Sequence, residues 1–134
     1  MAKAKEMLET YPRTFNVDAD LLARTIEALA ECANTCTQCA DACLSEQDVS
    51  SLVKCIRLNL DCADVCSATS RVVSRQTEYD AGLTRPQLEA CIAACTSCGD
   101  ECDTHAPKMA HCQVCADSCR RCEQVCRELL AAMK

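Results

Sequence analysis

A chain of 134 residues is long enough for one domain with a single buried core. Its 16 cysteines stand against one phenylalanine, two tyrosines and no tryptophan, and only two glycines and three prolines are available for turns, which favours long helices over many short strands. A formal charge of −6 without a basic cluster argues against nucleic acid and anionic membrane as partners.

The N-terminal stretch MAKAKEMLETYPRT is charged and broken by Pro12, with no apolar run of the length a signal peptide or membrane span needs. A cytoplasmic location is therefore expected, where thiols stay reduced and the cysteines read as metal ligands before they read as disulfides. Residues 1–17 read as an N-terminal segment carrying a short helix that lies across the rest. Residues 18–134 read as an all-α, antiparallel up-down-up-down four-helix bundle.

In chain order, Asp18 caps a first helix that runs through Leu21, Ile26 and Leu29 to about Leu44. Residues 45–51 break it, and a second helix continues to about Arg75. Residues 79–83, with Gly82, read as a loop, and Thr84 with Pro86 and Gln87 resembles a capping box opening the third helix. Pro107 restarts the chain, and a fourth helix carries Cys112 to Cys126 and ends near Met133.

Each helix bears one copy of CxxxCxxCxxxC. The copies are Cys32, Cys36, Cys39 and Cys43; Cys91, Cys95, Cys98 and Cys102; Cys115, Cys119, Cys122 and Cys126; and Cys55, Cys62 and Cys66 with Asn59 in the second slot. Cys112 stands outside the scheme. At about 100° per residue, steps of 4, 3 and 4 fall within an arc of roughly 60°, so each copy is a stripe of thiols along one side of a helix. Packed inward, four stripes line one central channel. Antiparallel order places Leu22, Leu29, Val72, Val73, Leu88, Leu129 and Leu130 at one end, expected to be plugged and dry. The other end gathers His105, Met109 and His111 at an open mouth.

Cβ atoms four residues apart on a helix are about 5–6 Å apart, too far for a disulfide, but two such thiolates can turn toward one soft ion. Soft thiolates select Cu(I), Zn(II) or iron–sulfur clusters. Buried thiolates need their charge neutralised nearby: one Cu(I) per thiolate leaves the core neutral, whereas zinc held by four thiolates leaves two surplus negative charges. Cu(I) also accepts the two or three ligands that helical ribs supply, while tetrahedral zinc cages need four converging ones. Storage of many Cu(I) ions, on the order of one per cysteine, is the function expected. A zinc buffer of metallothionein type and an iron–sulfur electron-transfer protein are the alternatives. The latter lacks the CxxCxxCxxxCP loop, and no nucleotide-binding glycine motif or isolated redox CxxC points to an enzyme.

Packing alone, or cross-helix disulfides, are the competing readings of the cysteines. Cys55 and Cys112, nearest the mouth, read either as storage sites or, instead, as transfer or nucleation sites. His105 continues the third stripe and reads as an inward ligand; His111, offset by one residue from Cys112, reads equally as ligand or solvated side chain. Met109 reads first as a packing residue and second as a copper ligand. Asn59 reads as a core hydrogen-bonding group or a weak oxygen ligand. Glu31, Asp41, Asp100 and Asp117 read as a solvated outer face.

The four inward repeats from Cys32 to Cys126, with His111 and Cys112 after Pro107, closely resemble the copper storage proteins, in particular their cytosolic branch. The resemblance covers about residues 18–133. It implies a bundle that binds many Cu(I) ions, a homotetramer, and a role in copper homeostasis with a copper chaperone as candidate donor. It also implies His105 and His111 as open-end ligands.

Overall fold

Steps of 4, 3 and 4 hold together only as helix, and the chain folds accordingly. In the computed structural model, which describes residues 2–133, α1 spans Ala2–Glu9, α2 Ala19–Leu44, α3 Val53–Val73, α4 Ala81–His105 and α5 Ala110–Ala132. A 3-10 turn at Val49–Leu52 leads into α3. Met1 and Lys134, the outer limits of the two expected segments, lie outside the described residues.

Local chemistry sets most boundaries where expected. The Asp18 carboxylate accepts a hydrogen bond from the Leu21 amide at 3.1 Å and opens α2, which ends at Leu44. Helix α3 stops at Val73, slightly short of Arg75. The start of α4 differs from expectation. Asp80, not Thr84, is the cap: its side chain accepts from the Gly82 amide at 2.9 Å and its carbonyl from the Thr84 amide at 2.9 Å. Aspartate outranks threonine as a cap, and the earlier start carries Gly82 into the helix and puts Thr84 and Leu88 one turn apart on a buried face. Pro86 then lies inside the helix, where its missing amide leaves the Gly82 carbonyl without its usual partner.

Helix α2 packs beside α3 and α5, and α4 beside α3 and α5, so the four long helices form a square with alternating direction. Diagonal helices meet through sulfur: Cys36 lies 4.0 Å from Cys98 and Cys66 lies 3.9 Å from Cys122. Side chains as small as cysteine on every inner face let the bundle close this tightly.

At the closed end Leu22, Leu29, Val73, Leu88 and Leu129 are at most 3% exposed, while Val72 and Leu130 are only half-buried. Arg85 Nη1 donates to the Leu130 and Met133 carbonyls at 3.1 and 2.7 Å, satisfying the last turn of α5. Helix α1 packs on α2 through buried Leu8 and a 3.2 Å Lys5–Asp20 ion pair. Beyond it, Tyr11 and Thr77 share a 2.8 Å hydrogen bond, and Phe15 and Val17 line a shallow pocket with Gln76, Tyr79 and Met133. The N-terminal segment thus reinforces the leucine plug. No described helix is long and apolar enough to cross a membrane.

Candidate metal centre

Every cysteine is a free, buried thiol, and Cys39, at 3%, is the most exposed. From the closed end outward, Cys66 lies 3.7 Å from both Cys91 and Cys95 and 3.8 Å from Cys62. Cys36 then lies 3.8 Å from Cys32 and 3.7 Å from both Cys115 and Cys119. Toward the mouth, Cys55 pairs with Cys102 at 3.9 Å and Cys39 with Cys112 at 4.0 Å. Cys112, outside the repeat, sits three residues before Cys115 and so extends the same stripe; it is fully buried.

Groups of sulfurs lying mutually within 4.8 Å include Cys32, Cys66, Cys95 and Cys122; Cys32, Cys36, Cys62 and Cys119; and Cys36, Cys98, Cys115 and Cys119. Four converging sulfurs therefore exist, which spacing along single helices did not reveal. Several of their separations, such as Cys36–Cys119 and Cys66–Cys95 at 3.7 Å, are close to the roughly 3.8 Å edge of a tetrahedron with metal–sulfur bonds of about 2.3 Å. The groups share members, however: Cys32, Cys36 and Cys119 each belong to two. Separate four-thiolate cages cannot all be filled at once, whereas bridging thiolates between ions of low coordination number can use every sulfur.

Asn59 interrupts this lattice of sulfur. Fully buried, it accepts thiol hydrogens at Oδ1 from Cys98 at 3.0 Å, Cys115 at 3.1 Å and Cys102 at 3.6 Å. These contacts make it a core hydrogen-bonding group, one of the two readings its position suggested.

The mouth is less open than the sequence led us to expect, because its thiols are covered. Cys43, Cys55, Cys102 and Cys112 are inaccessible, as is Leu52 of the 3-10 turn. The His105 and His111 side chains, 19% and 27% exposed, stand between them and solvent. His111 Nδ1 lies 3.4 Å from Cys39 Sγ and 3.7 Å from Cys112 Sγ, and with Cys43 these form a further ligand group. His105 is turned instead to Glu101, Nε2 to Oε2 3.0 Å. Met109 caps α5 and packs half-buried against the core. Two acidic residues that the cysteine pattern did not single out thus join the mouth: Glu101, and Glu46, whose Oε2 lies 2.9 Å from His111 Nε2.

Burial and crowding set the proton affinities. Desolvation pushes the Cys43 thiol up to about 12 and the Cys112 thiol up to about 11. Deeper in, hydrogen bonding with Cys122 raises Cys66, and hydrogen bonding with Cys102 holds Cys115 below the ordinary thiol range. Clustered thiols share protons, so ionising one holds the proton on its neighbour.

Fold and site together define a thiol-lined four-helix bundle able to hold several soft metal ions in one connected channel. The copper storage protein family matches residues 18–131, and the chain belongs to that family. A solved structure of the copper storage protein Ccsp from Streptomyces lividans, loaded with 10 copper equivalents, is 54% identical, with a TM-score of 0.95 over 97% of this chain and 99% of that chain. A structure described as copper loading to a cytosolic copper storage protein from Streptomyces lividans, with five coppers, is 56% identical, with a TM-score of 0.84 over 86% and 96% of the two chains. The Cu(I)-bound copper storage protein BsCsp3 is 34% identical, with a TM-score of 0.69 over 78% and 92%. No curated protein sequence matches the chain.

Proposed function

We propose that the chain stores many Cu(I) ions in the cytoplasm, held by the thiolates of its channel, with His111, His105 and Met109 at the mouth. The observation that carries this reading is the sharing of Cys32, Cys36 and Cys119 between adjacent ligand groups, which suits bridged cuprous thiolates and not isolated cages. Protonated thiols behave as small hydrophobes, so the bundle is expected to fold before metal arrives. His111 is the outermost group that touches both solvent and thiols, which suits it to capture incoming ions.

Delivery by a copper chaperone and assembly as a homotetramer belong to the same proposal. Exposed Leu44, Val53, Leu60 and Val114 supply apolar surface for self-association. The test is titration of the reduced metal-free protein with Cu(I) against a cuprous chelator. On the order of one ion per cysteine is expected; saturation at one or two ions per chain overturns storage. A parallel zinc titration is expected to stop at about four ions or fewer, since each needs four sulfurs and the four-sulfur groups share members.

A further inference from the structure

The two mouth histidines are held by different partners, and the difference decides which one can face the thiols. His105 Nε2 engages Glu101 one turn earlier on its own helix, and Glu101 also faces Lys54 at 3.8 Å. Among the described residues, no thiol hydrogen-bonds to His105. His111, in the first turn of α5, is gripped from another element: Glu46 lies in the loop after α2, and its carboxylate meets Nε2 at 2.9 Å.

A carboxylate oxygen only accepts, so in the neutral imidazole it selects the tautomer with hydrogen on Nε2. Nδ1 then carries the lone pair, and it is Nδ1 that lies 3.4 Å from Cys39 Sγ and 3.7 Å from Cys112 Sγ. The opposite tautomer would set a lone pair against the carboxylate and an N–H against the sulfurs. The contact also spans the mouth, fixing the ring between the loop after α2 and the start of α5. We propose that Glu46 is a positioning residue: it orients His111 and fixes its tautomer so that Nδ1 is presented to a cuprous ion arriving at Cys39, Cys43 and Cys112.

The inference rests on the mouth reading above and is tested separately from it. Reduced metal-free protein with 15N-labelled histidine is compared at about pH 8, above the ordinary imidazole range, for the wild type, Glu46→Ala, Glu46→Gln and the exposed-surface control Glu89→Ala. The wild type and control are expected to show the Nε2–H tautomer of His111. Glu46→Gln presents both an amide oxygen and an amide N–H to Nε2, so neither it nor Glu46→Ala selects one tautomer, and both are expected to raise the Nδ1–H fraction of His111. Stopped-flow absorbance of the copper–thiolate charge-transfer band, at substoichiometric Cu(I), is expected to show capture slowed about tenfold in Glu46→Ala and slowed also in Glu46→Gln. An unchanged tautomer in Glu46→Ala, or capture by Glu46→Ala as fast as by the wild type, overturns the role of Glu46. If His111→Ala is slow while Glu46→Ala loads like the wild type, this inference alone fails; if His111→Ala also loads normally, the mouth reading fails.

Discussion

Cys98 donates its thiol hydrogen to Asn59 Oδ1 across 3.0 Å, from α4 to α3, and Cys115 of α5 makes the same contact at 3.1 Å. One buried oxygen therefore serves donors from two other helices, and Asn59 Nδ2 reaches Cys55 Sγ at 3.6 Å. Asn59→Ala removes the acceptor and leaves a void, so the metal-free protein is expected to lose about 1–3 kcal/mol in urea unfolding. Wild-type stability would show that the thiols do not need this acceptor. Asn59→Cys completes the fourth stripe and is expected to add about one Cu(I) to the count at saturation.

The leucine plug is expected to hold the bundle together without governing metal capture. Leu29 and Leu129 are fully buried at the closed end, opposite His111. Truncating either to alanine removes about 2–5 kcal/mol, read from denaturant midpoints. At a temperature where the variant remains folded, its rate of Cu(I) capture should match the wild type. A slowed capture would mean that ions also enter through the leucine end.

On the outer face, Gly99 lies under the Arg120 guanidinium: a Cβ there would sit 2.9 Å from Nη1. That guanidinium reaches Asp100 at 2.6 Å and Asp103 at 2.8 Å, contacts exposed enough to contribute only about 0–1 kcal/mol. Replacing glycine by alanine inside a helix returns about 1 kcal/mol. Gly99→Ala is therefore expected to be close to neutral, and clearly stabilising in an Arg120→Ala background. Equal effects in both backgrounds would show that Arg120 moves aside at no cost.

Helix number, direction and the inward face of each cysteine were legible because the 4-3-4 repeat is a local property of each helix. What escaped depended on competition or on contacts across helices. Asp80 and Thr84 are both competent caps, and nothing local weighs the burial of Thr84 that settles the choice. The phase of His105, three residues past Cys102, pointed inward, yet Glu101 on the same helix claims its ring. Glu46 lies 65 residues from His111 in the chain, so no spacing rule connects them. The same holds for the shared sulfur groups: helical periodicity faces thiols inward but does not say which stripes interleave.

Burial raises the Cys43 and Cys112 thiols to about 12 and about 11, whereas an unfolded thiol ionises at its ordinary value of about 8.5. A raised folded value means that stability is fully present below the unfolded value and is lost as pH climbs toward the folded one. The metal-free protein is therefore expected to weaken from about pH 8.5 upward, followed by urea midpoints under reducing conditions. Cu(I) replaces these protons, so binding at Cys43 and Cys112 should release about one proton per thiol and weaken as pH falls, as an indicator dye can report. Pairs of thiols that release no protons on loading would mean that they are already ionised.

The mouth makes the two histidines unequal, and the inequality is measurable in loading kinetics. His111 presents Nδ1 to Cys39 and Cys112, while the His105 ring is tied to Glu101 on its own helix. Since the mouth thiols are almost wholly covered, an incoming ion meets an exposed group first, and among the described residues His111 is the partly exposed side chain with a nitrogen beside sulfur. His111→Ala is expected to slow the first phase of Cu(I) uptake about tenfold or more, and His105→Ala to slow it less. Final capacity should fall by at most about one ion in either case, because the thiolates hold the rest. Stopped-flow loading followed by chelator back-titration separates rate from capacity. Equal slowing by the two substitutions would place His105 at the capture step beside His111, with Glu101 released as metal enters.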